Sequence, residues 1–193
     1  MDINIVVAQP EHVSYAEVIC HNYAESAKAR GTGIAKRTPE YVAGKMLEGK
    51  AVIALHGEEL AGFCYIETWS HGRYVANSGL IVVPTFRKLG LAKKIKAKVF
   101  ELSRNKYPKA KVFGITTSLA VMKINSSLGY VPVTFSELTQ DDAFWEGCKS
   151  CPNFDILKRN ERKLCLCTAM LAPSKVEIEH DLSHLIVDKN QPK

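Results

Sequence analysis

The alternation of apolar and polar positions predicts a chain in which strands and amphipathic helices follow one another. Runs that alternate with period two predict strands, and apolar positions three or four residues apart predict helices. The strands are expected at Asn4–Ala8, Ala51–His56, Leu60–Thr68, Tyr74–Val83, Lys111–Thr117, Val131–Phe135 and Lys163–Leu171. Helices are expected from Pro10, from Pro39, after Gly90 and at Leu119–Leu128. The order β-α-α-β-β-β-α-β-α-β, an insertion and a last strand indicates an α/β (α+β) fold with a mixed central sheet.

Residues 77–104 form the centre of this pattern, as a strand, a basic loop and a long amphipathic helix. Pro84 ends the strand because it has no N–H to donate, and Arg87 and Gly90 lie in the loop that follows. The first turn of a helix leaves its backbone N–H groups free and carries the positive end of the helix dipole. The loop is therefore predicted to bind phosphate.

The distribution of charge supports a polyanionic ligand at this element. Residues 87–111 contain ten Lys or Arg and one acid, a balance of 10 − 1 = +9, while the whole chain has a net charge of +6. The rest of the chain therefore sums to −3. Such concentration favours a compact anion over an extended nucleic-acid surface, and the basic stretch also lacks interleaved aromatic residues beyond Phe100 and Tyr107.

Residues 83–92, VPTFRKLGLA, resemble the acyl-CoA signature Arg/Gln-x-x-Gly-x-Gly/Ala of the GNAT superfamily of N-acyltransferases. The order of elements matches that family along almost the whole chain. The resemblance implies acetyl-CoA or another acyl-CoA as co-substrate, held by the loop and the preceding strand. The cofactor-binding residues implied are Ile81, Val82, Val83, Arg87, Lys88, Leu89, Gly90, Leu91, Ala92, Lys93, Ser118 and Asn125.

Two positions bear on catalysis through this resemblance. Gly79 lies inside a strand, where a glycine commonly marks a bulge, and in the family a bulge here opens the slot for CoA. Asn125 stands where many members carry a Tyr that protonates the departing thiolate, and Asn cannot supply a proton. The thiol's pKa of about 8.5 makes it a tolerable leaving group, so catalysis without the Tyr remains open, as does a non-catalytic CoA-binding module.

A substrate amine must lose a proton before it attacks a thioester, so a base is expected near the slot. Glu67, at the end of the apolar run that precedes it, is the first candidate, and His71 in the next turn is the second. A solvated carboxylate at a strand end is the alternative for Glu67.

The pocket for the amine that accepts the acyl group is expected between the first two helices. Arg30, Lys36 and Arg37 surround Gly31-Thr32-Gly33 in the segment that forms one wall of the acceptor pocket in GNAT enzymes. A guanidinium suits a carboxylate, so an amino acid such as glutamate or ornithine is a candidate acceptor, and the whole chain resembles a bacterial GNAT group associated with arginine synthesis. A solvated basic loop is the alternative.

Four of the six cysteines form two close pairs, Cys148 with Cys151 and Cys165 with Cys167. Two such pairs are typical of a tetrahedral zinc site that would staple the insertion to the last strand. The second pair is predicted to lie on the last strand, so both of its side chains should face the same way. Buried free thiols and a redox dithiol are the alternatives.

The chain is expected to form one domain over 1–171, with the cysteine-containing insertion at about 136–162 and a polar, partly mobile tail at 172–193. The absence of a signal-like start and of a long apolar run predicts a cytoplasmic protein that binds neither membrane nor nucleic acid. The predicted partner is a small-molecule amine. A transferase acting on protein amines and a homodimer remain open.

Overall fold

The structure is a computed structural model that describes residues 2–30 and 36–180, the side chain of Arg30 excepted. The strands are β1 Asn4–Val7, β2 Ala51–His56, β3 Glu59–Trp69, β4 Tyr74–Val82, β5 Lys111–Thr116, β6 Val131–Val133 and β7 Thr168–Ala172. The helices are α1 Ala16–Arg30, α2 Pro39–Leu47, α3 Leu91–Lys106, α4 Leu119–Ser127, α5 Asp142–Glu146 and α6 Phe154–Arg159. Short 3-10 helices lie at Pro10–Tyr15, Pro84–Phe86, Phe135–Glu137 and Gly147–Ser150.

The strands form one mixed sheet in the order β1-β2-β3-β4-β5-β7-β6. Among the strands of the described residues, β4 and β5 pair in parallel and every other neighbouring pair is antiparallel. The connection between the two parallel strands is the loop and helix α3, as a parallel crossover requires. The predicted mixed sheet and the order of its elements are confirmed.

Helices cover both faces of the sheet and enclose its centre. One core joins α1 and α2 to the face of β3 that carries Phe63 and Tyr65, and a second joins α3 to the opposite face, which carries Cys64 and Ile66. The alternation of side chains along β3 produces this division, and all four of these residues are at most 1% exposed. Since both faces are covered, the middle strands read as continuous apolar runs.

The helix starts follow the capping chemistry of the sequence. Thr38 caps α2, because its hydroxyl accepts a 3.2 Å hydrogen bond from the Tyr41 N–H, and Pro39 is the first helical residue. Ser118 caps α4 in the same way, with a 3.4 Å hydrogen bond from the Val121 N–H. These caps fix where α2 and α4 begin beside the central strands.

The insertion folds as short helices over the end of the sheet. Trp145 is 2% exposed and stacks on Phe135, while Phe144 packs edge-on against Phe113 of β5. The last strand starts at Thr168 rather than at Lys163, so the prediction that places Cys165 and Cys167 on it is wrong.

The chain beyond β7 is ordered as far as it is described. Residues 175–180 are helical, and Ser174 and Glu177 exchange hydrogen bonds of 2.7 and 3.1 Å at the start of that helix. Val176 N–H donates to the Pro108 carbonyl at 3.2 Å, which ties the segment to the end of α3. Within residues 2–30 and 36–180, no helix combines the length and apolar composition that crossing a membrane requires.

Candidate functional site

A cavity of about 600 Å³ opens where β4 and β5 separate. The two strands pair from Tyr74 with Lys111 to Ala76 with Phe113, and no further pairing follows within the described chain. Residues 76–80 of β4 and 113–117 on the β5 side line the cavity. We call the point after Ala76 and Phe113 the fork. Strand edges that have left their neighbour present N–H and C=O groups to a ligand, so an extended, amide-containing molecule can pair there.

Gly79 gives β4 the shape that opens the fork. It has φ of +64°, and a Cβ there would lie 2.3 Å from Cε1 of Tyr65 and 2.5 Å from the Tyr23 hydroxyl. The Tyr23 hydroxyl donates a 2.6 Å hydrogen bond to the Gly79 carbonyl, and the β3–β4 register shifts at this level. The predicted bulge is confirmed, and only glycine fits its backbone and its space.

The predicted phosphate loop lies between β4 and α3. Gly90, with φ of +72°, precedes the first residue of α3, and Lys88 also has a positive φ of +65°. Arg87 donates a 3.1 Å hydrogen bond from Nε to the Val82 carbonyl, which holds its guanidinium over the loop. The first N–H groups of α3 therefore face a basic surface.

The other predicted cofactor residues of this loop divide by burial. Arg87, Lys88, Leu89, Gly90 and Lys93 are exposed, whereas Ile81 and Leu91 are each 2% exposed and Val82, Val83 and Ala92 are half-buried. Leu91 packs with Ile95 in the core, so only its backbone can meet a ligand. In the described structure the cavity wall ends at Leu80 on β4, so the loop and the cavity are separate surfaces joined by the end of that strand.

Asn125 of α4 faces the cavity from the β5 side. It is 1% exposed, and its Nδ2 lies 3.6 Å from the Met170 sulfur. Its Oδ1 is buried and has no hydrogen-bond partner among the described residues. A buried acceptor without a partner is costly unless a ligand satisfies it, so Asn125 is suited to receive an N–H from a bound molecule. Ser118 differs, because its hydroxyl caps α4.

Glu67 of β3 lies on the cavity wall among cations and hydroxyls. Its carboxylate accepts a hydrogen bond from the Tyr41 hydroxyl, and lies 4.0 Å from Arg37 Nη2 and 3.8 Å from Lys45 Nζ. Burial raises the pKa of Glu67 above its usual value, and the nearby Arg37 partly opposes that rise. A carboxylate with a raised pKa is a better proton acceptor, so Glu67 fits the predicted base.

Arg37 is fixed beside Glu67 by aromatic side chains. Its Nε donates a 2.6 Å hydrogen bond to the Tyr65 hydroxyl oxygen, and its guanidinium carbon lies 5.2 Å from the centre of the Tyr41 ring. Lys36 is exposed on the same wall. The Arg30 side chain and residues 31–35 lie outside the described residues.

His71, the second candidate base, does not lie on the cavity wall. It is exposed in the turn between β3 and β4, on the far side of Trp69 along the chain from Glu67. Of the two candidate bases, Glu67 is therefore the one that lines the cavity.

Lys96 of α3 is a site residue that sequence reasoning missed. It is 1% exposed, lines the cavity and donates a 3.4 Å hydrogen bond from Nζ to the Asn77 carbonyl at the fork. Burial lowers the pKa of Lys96 to about 8. One signal was available, since the buried positions of α3 are Leu91, Ile95, Lys96, Val99, Phe100 and Ser103, a wide apolar stripe in which position 96 falls.

Asn77 connects this lysine to a buried polar network. Its Nδ2 donates a 2.7 Å hydrogen bond to the Ser103 hydroxyl, and its Oδ1 accepts one of 2.8 Å from the Tyr130 hydroxyl. The network fixes Asn77 at the point where β4 and β5 part, so it also fixes the carbonyl that holds Lys96.

The four cysteines of the predicted zinc site close the far side of the cavity. Cys148, Cys151 and Cys167 line its wall together with Asn153, and Cys165 lies behind them in a smaller apolar pocket. Burial raises the pKa of Cys148 to about 11 and that of Cys167 to about 12, and the neighbouring thiols add to both shifts. The two chain segments therefore do meet.

The structure gives the zinc prediction no further support. In the part of the chain that it describes, no group of three or more His, Cys, Asp or Glu side chains is arranged to hold a metal ion. All six cysteines are free thiols. Zinc at these residues stays a prediction.

The chain is similar in sequence to one curated enzyme. It is 34% identical over 111 residues to the thialysine N-epsilon-acetyltransferase of Caenorhabditis elegans, and the alignment covers 54% of this chain and 68% of that protein. No family model matches the chain.

Solved structures share its fold. N-acetylglutamate synthase from Neisseria gonorrhoeae, complexed with coenzyme A and N-acetyl-glutamate, matches with a TM-score of 0.63 and 14% identity over 90% of this chain. This chain spans only 35% of that one. The protein yncA from Salmonella typhimurium, with its cofactor acetyl-CoA, matches with a TM-score of 0.61 and 14% identity over 90% of this chain and 94% of that one.

Proposed function

Since the chain belongs to the GNAT superfamily of N-acetyltransferases, we propose that its acceptor is the amine of a small molecule that also carries a carboxylate. An amino acid such as glutamate or ornithine has this chemistry. The acyl donor in this proposal is acetyl-CoA or a closely related acyl-CoA.

The observation that carries the proposal is the pairing of a base and a cation on one cavity wall. Glu67 and Arg37 lie 4.0 Å apart, and both face the cavity that opens at the fork. A guanidinium held by Tyr65 and Tyr41 can bind an acceptor carboxylate in a fixed direction. Glu67 can then take the proton of an amine on the same molecule.

The names of the similar proteins agree with an acceptor of this class. Thialysine, the substrate named for the relative, and N-acetyl-glutamate, the ligand of the similar structure, are amino-acid derivatives with a carboxylate. They differ in the amine that reacts, so they support the class of acceptor and do not choose one member.

The described residues fit an acyl-CoA bound across the fork and the loop. In this arrangement the first N–H groups of α3, with Arg87 and Lys93, hold the phosphates, and the free edges of β4 and β5 hold the amide-containing arm. Asn125 Oδ1 accepts an N–H from that arm. When bound, the thioester supplies an activated acyl carbon.

The remaining chemistry belongs to the chain's own groups. Glu67 removes a proton from the acceptor ammonium, so that the neutral amine can attack. We propose that a backbone N–H of β4 near Val82, just beyond the cavity wall that ends at Leu80, stabilises the oxyanion that follows. The half-buried rings of Trp69 and Phe144, which pack edge-on against each other on the cavity wall, limit the access of water to the reacting carbon.

The experiment that tests the proposal is a screen of thiol release. The protein is incubated with acetyl-CoA or succinyl-CoA and each of the amino acids, and with a mixture of lysine-containing peptides. We expect release above the rate of CoA hydrolysis with one or a few amino acids, and a loss of that release when the acceptor's carboxylate is amidated. Release with peptides alone would contradict the proposal and favour a protein amine acetyltransferase.

A binding control separates an inactive protein from a non-catalytic one. If calorimetry shows that acetyl-CoA binds but no amine increases thiol release, the chain is a CoA-binding module and the proposed transfer is wrong. The same proposal includes a role in amino-acid biosynthesis, which the identified acceptor would test, and a cytoplasmic location, which cell fractionation would test.

A further inference from the structure

The buried ammonium of Lys96 lies at the apex of the fork, where no ion pair accounts for it. Its Nζ is 3.4 Å from the Asn77 carbonyl and 5.5 Å from the centre of the Tyr130 ring. Neither group is an anion, and no salt bridge involving Lys96 occurs within residues 2–30 and 36–180. A buried cation without an anionic partner is destabilising, so a function other than stability is the better explanation for it.

The elements packed around Lys96 supply few titratable groups. β3 contributes Cys64, whose thiol is fully buried and whose pKa burial raises to about 11. Tyr130, before β6, is 2% exposed, and burial raises its pKa well above the usual value. Both groups are neutral at neutral pH. Arg104 of α3 acts on Tyr130 and lies over the Phe100 ring, at 4.3 Å from its centre, and Lys96 is the charged residue of α3 that lines the cavity.

The two described residues opposite Lys96 at the apex carry no acidic group. Asn125 and Gly114 face Lys96 across the fork, and a Cβ on Gly114 would lie 3.8 Å from the Asn77 carbonyl and 3.9 Å from Asn125 Nδ2. Both residues line the same cavity as Lys96. A leaving group at this point would lie between the side-chain amide of Asn125 and the ammonium of Lys96.

We propose that Lys96 is a catalytic residue that donates a proton to the CoA sulfur as the thioester breaks. The proposal rests on the proposed function, which places the thioester at the fork. It assigns to a lysine of α3 the acid role that Asn125 of α4 cannot perform.

The protons and electron pairs of the step balance. Glu67 takes one proton from the acceptor ammonium, and the nitrogen lone pair forms the C–N bond while the carbonyl pair moves to oxygen. When that pair returns, the C–S bond breaks and its electrons remain on sulfur. The Lys96 ammonium gives a proton to sulfur. The neutral side chain of Lys96 that results then takes up the second proton, which the acceptor nitrogen releases. The products are an amide, the CoA thiol and one proton left on Glu67, which passes to water.

The acidity of Lys96 suits this role. Burial lowers its pKa from 10.5 to about 8, close to that of the thiol it would protonate. Matched pKa values allow proton transfer in either direction with little cost. At neutral pH the lysine remains mostly protonated and ready to donate.

The first test measures the thiol of bound CoA and needs no acceptor. The thiolate absorbance of bound CoA is titrated against pH, with desulfo-CoA as the reference that removes the signal of the protein's own cysteines. In the wild type we expect Lys96 to stabilise the bound thiolate. The acid dissociation constant of the bound CoA thiol should therefore be at least tenfold higher in the wild type than in Lys96→Met. Lys98→Met, on the same helix with a 42% exposed side chain, is the matched control and should titrate like the wild type.

An equal titration of the bound thiol in the wild type and in Lys96→Met would overturn the proposal. Methionine has a similar length and no charge, so the variant should fold, and its affinity for desulfo-CoA checks that the fork is intact. Lys96→Arg adds a second discrimination. It keeps the positive charge but cannot donate near neutral pH, so it should hold the bound thiolate while failing to restore turnover.

The second test measures turnover once an acceptor is known. The kcat of the wild type should fall as pH rises through about 8, because the ammonium is lost. In Lys96→Met kcat should be at least tenfold lower and lack that descending limb, with KM for acetyl-CoA changed less than kcat. If the wild type transfers acetyl groups and Lys96→Met keeps its kcat and its pH profile, only the role of Lys96 is refuted. If the wild type transfers to no amine, the proposed function fails and this role fails with it.

Discussion

Arg37 Nε donates a 2.6 Å hydrogen bond to the hydroxyl oxygen of Tyr65, and this bond anchors the segment before α2 to the middle of β3. The same guanidinium places Nη2 4.0 Å from the carboxylate of Glu67. Burial raises the pKa of Glu67, and the positive charge of Arg37 limits the rise. The two residues are therefore coupled, with one expected to bind the acceptor and to set the basicity of the other.

The first prediction is that Arg37→Gln shifts the pH dependence of kcat. Without the guanidinium the pKa of Glu67 rises further, so the ascending limb of kcat should move to higher pH. The KM for the acceptor should rise at least tenfold, because its carboxylate loses its partner. Tyr65→Phe removes the hydrogen bond but keeps the charge, so its ascending limb should stay in place. An unshifted limb in Arg37→Gln would show that Glu67 does not control the profile.

The second prediction concerns the base itself. Glu67→Gln should lower kcat by about 100-fold, because positioned bases contribute that order of rate, and the ascending limb should disappear. The affinity for acetyl-CoA should change little. Glu58→Gln, in the exposed turn between β2 and β3, is the control for loss of one carboxylate. A wild-type rate and pH profile in Glu67→Gln would assign proton removal to water or to another group.

The third prediction tests the phosphate loop. Arg87→Glu should weaken acetyl-CoA binding at least tenfold, or about 1.4 kcal/mol, because it reverses the charge beside the first turn of α3. Arg87 is exposed, so the fold should survive. Lys109→Glu makes the same change of charge beyond the other end of α3, and its affinity by calorimetry should match the wild type. Equal affinities for the two variants would remove the loop from the binding site.

The fourth prediction addresses the four cysteines near the cavity. If they bind zinc, protein purified without chelator contains about one equivalent of metal, and Cys148→Ser lowers both metal content and thermal stability. Cys64→Ser is the control for loss of a buried thiol outside the group. Metal analysis that finds little zinc in a stable protein would contradict the zinc site and instead support free thiols.

The order of the elements could be predicted because individual residues in the sequence determine where each element ends or bends. Pro84 ends β4, Gly90 precedes α3 with a positive φ, and Gly79 occupies a bulge that no other residue fits. Each of these effects depends on backbone geometry that the residue type itself restricts. The signature loop and Glu67 therefore lie where the sequence places them.

The position of Lys96 could not be predicted in the same way. A lysine on a basic helix is normally solvated, and its burial depends on Asn77 and Tyr130, which come from distant parts of the chain. The last strand illustrates the same limit, because Thr168 begins to pair only where β5 and β6 provide partners. Helical spacing places position 96 within the wide apolar stripe of α3, but the tertiary contacts that keep a charged side chain there, and those that start the last strand, are not reported by periodicity.

The fifth prediction uses the pH dependence of stability to test whether Lys96 is buried as a cation. In the unfolded chain its pKa is near 10.5, and in the folded protein it is about 8. Below pH 8 both states hold the proton, so the folded state bears the full cost of the buried charge and Lys96→Met should be the more stable protein.

As pH rises from 8 to 10.5, Lys96 loses its proton in the folded protein but keeps it in the unfolded chain. The free-energy cost of burying the charge then disappears. The difference in unfolding free energy between Lys96→Met and the wild type should therefore close by about 3 kcal/mol, at 1.36 kcal/mol for each pKa unit. Lys96 and Cys64 influence each other's pKa, so both proteins are compared in a Cys64→Ala background, in which the difference isolates the lysine. Denaturant unfolding of the ligand-free proteins at several pH values measures it, with Lys98→Met expected to show no such trend. A constant difference across this range would mean that Lys96 is solvated, and the apex of the fork would then hold no acid.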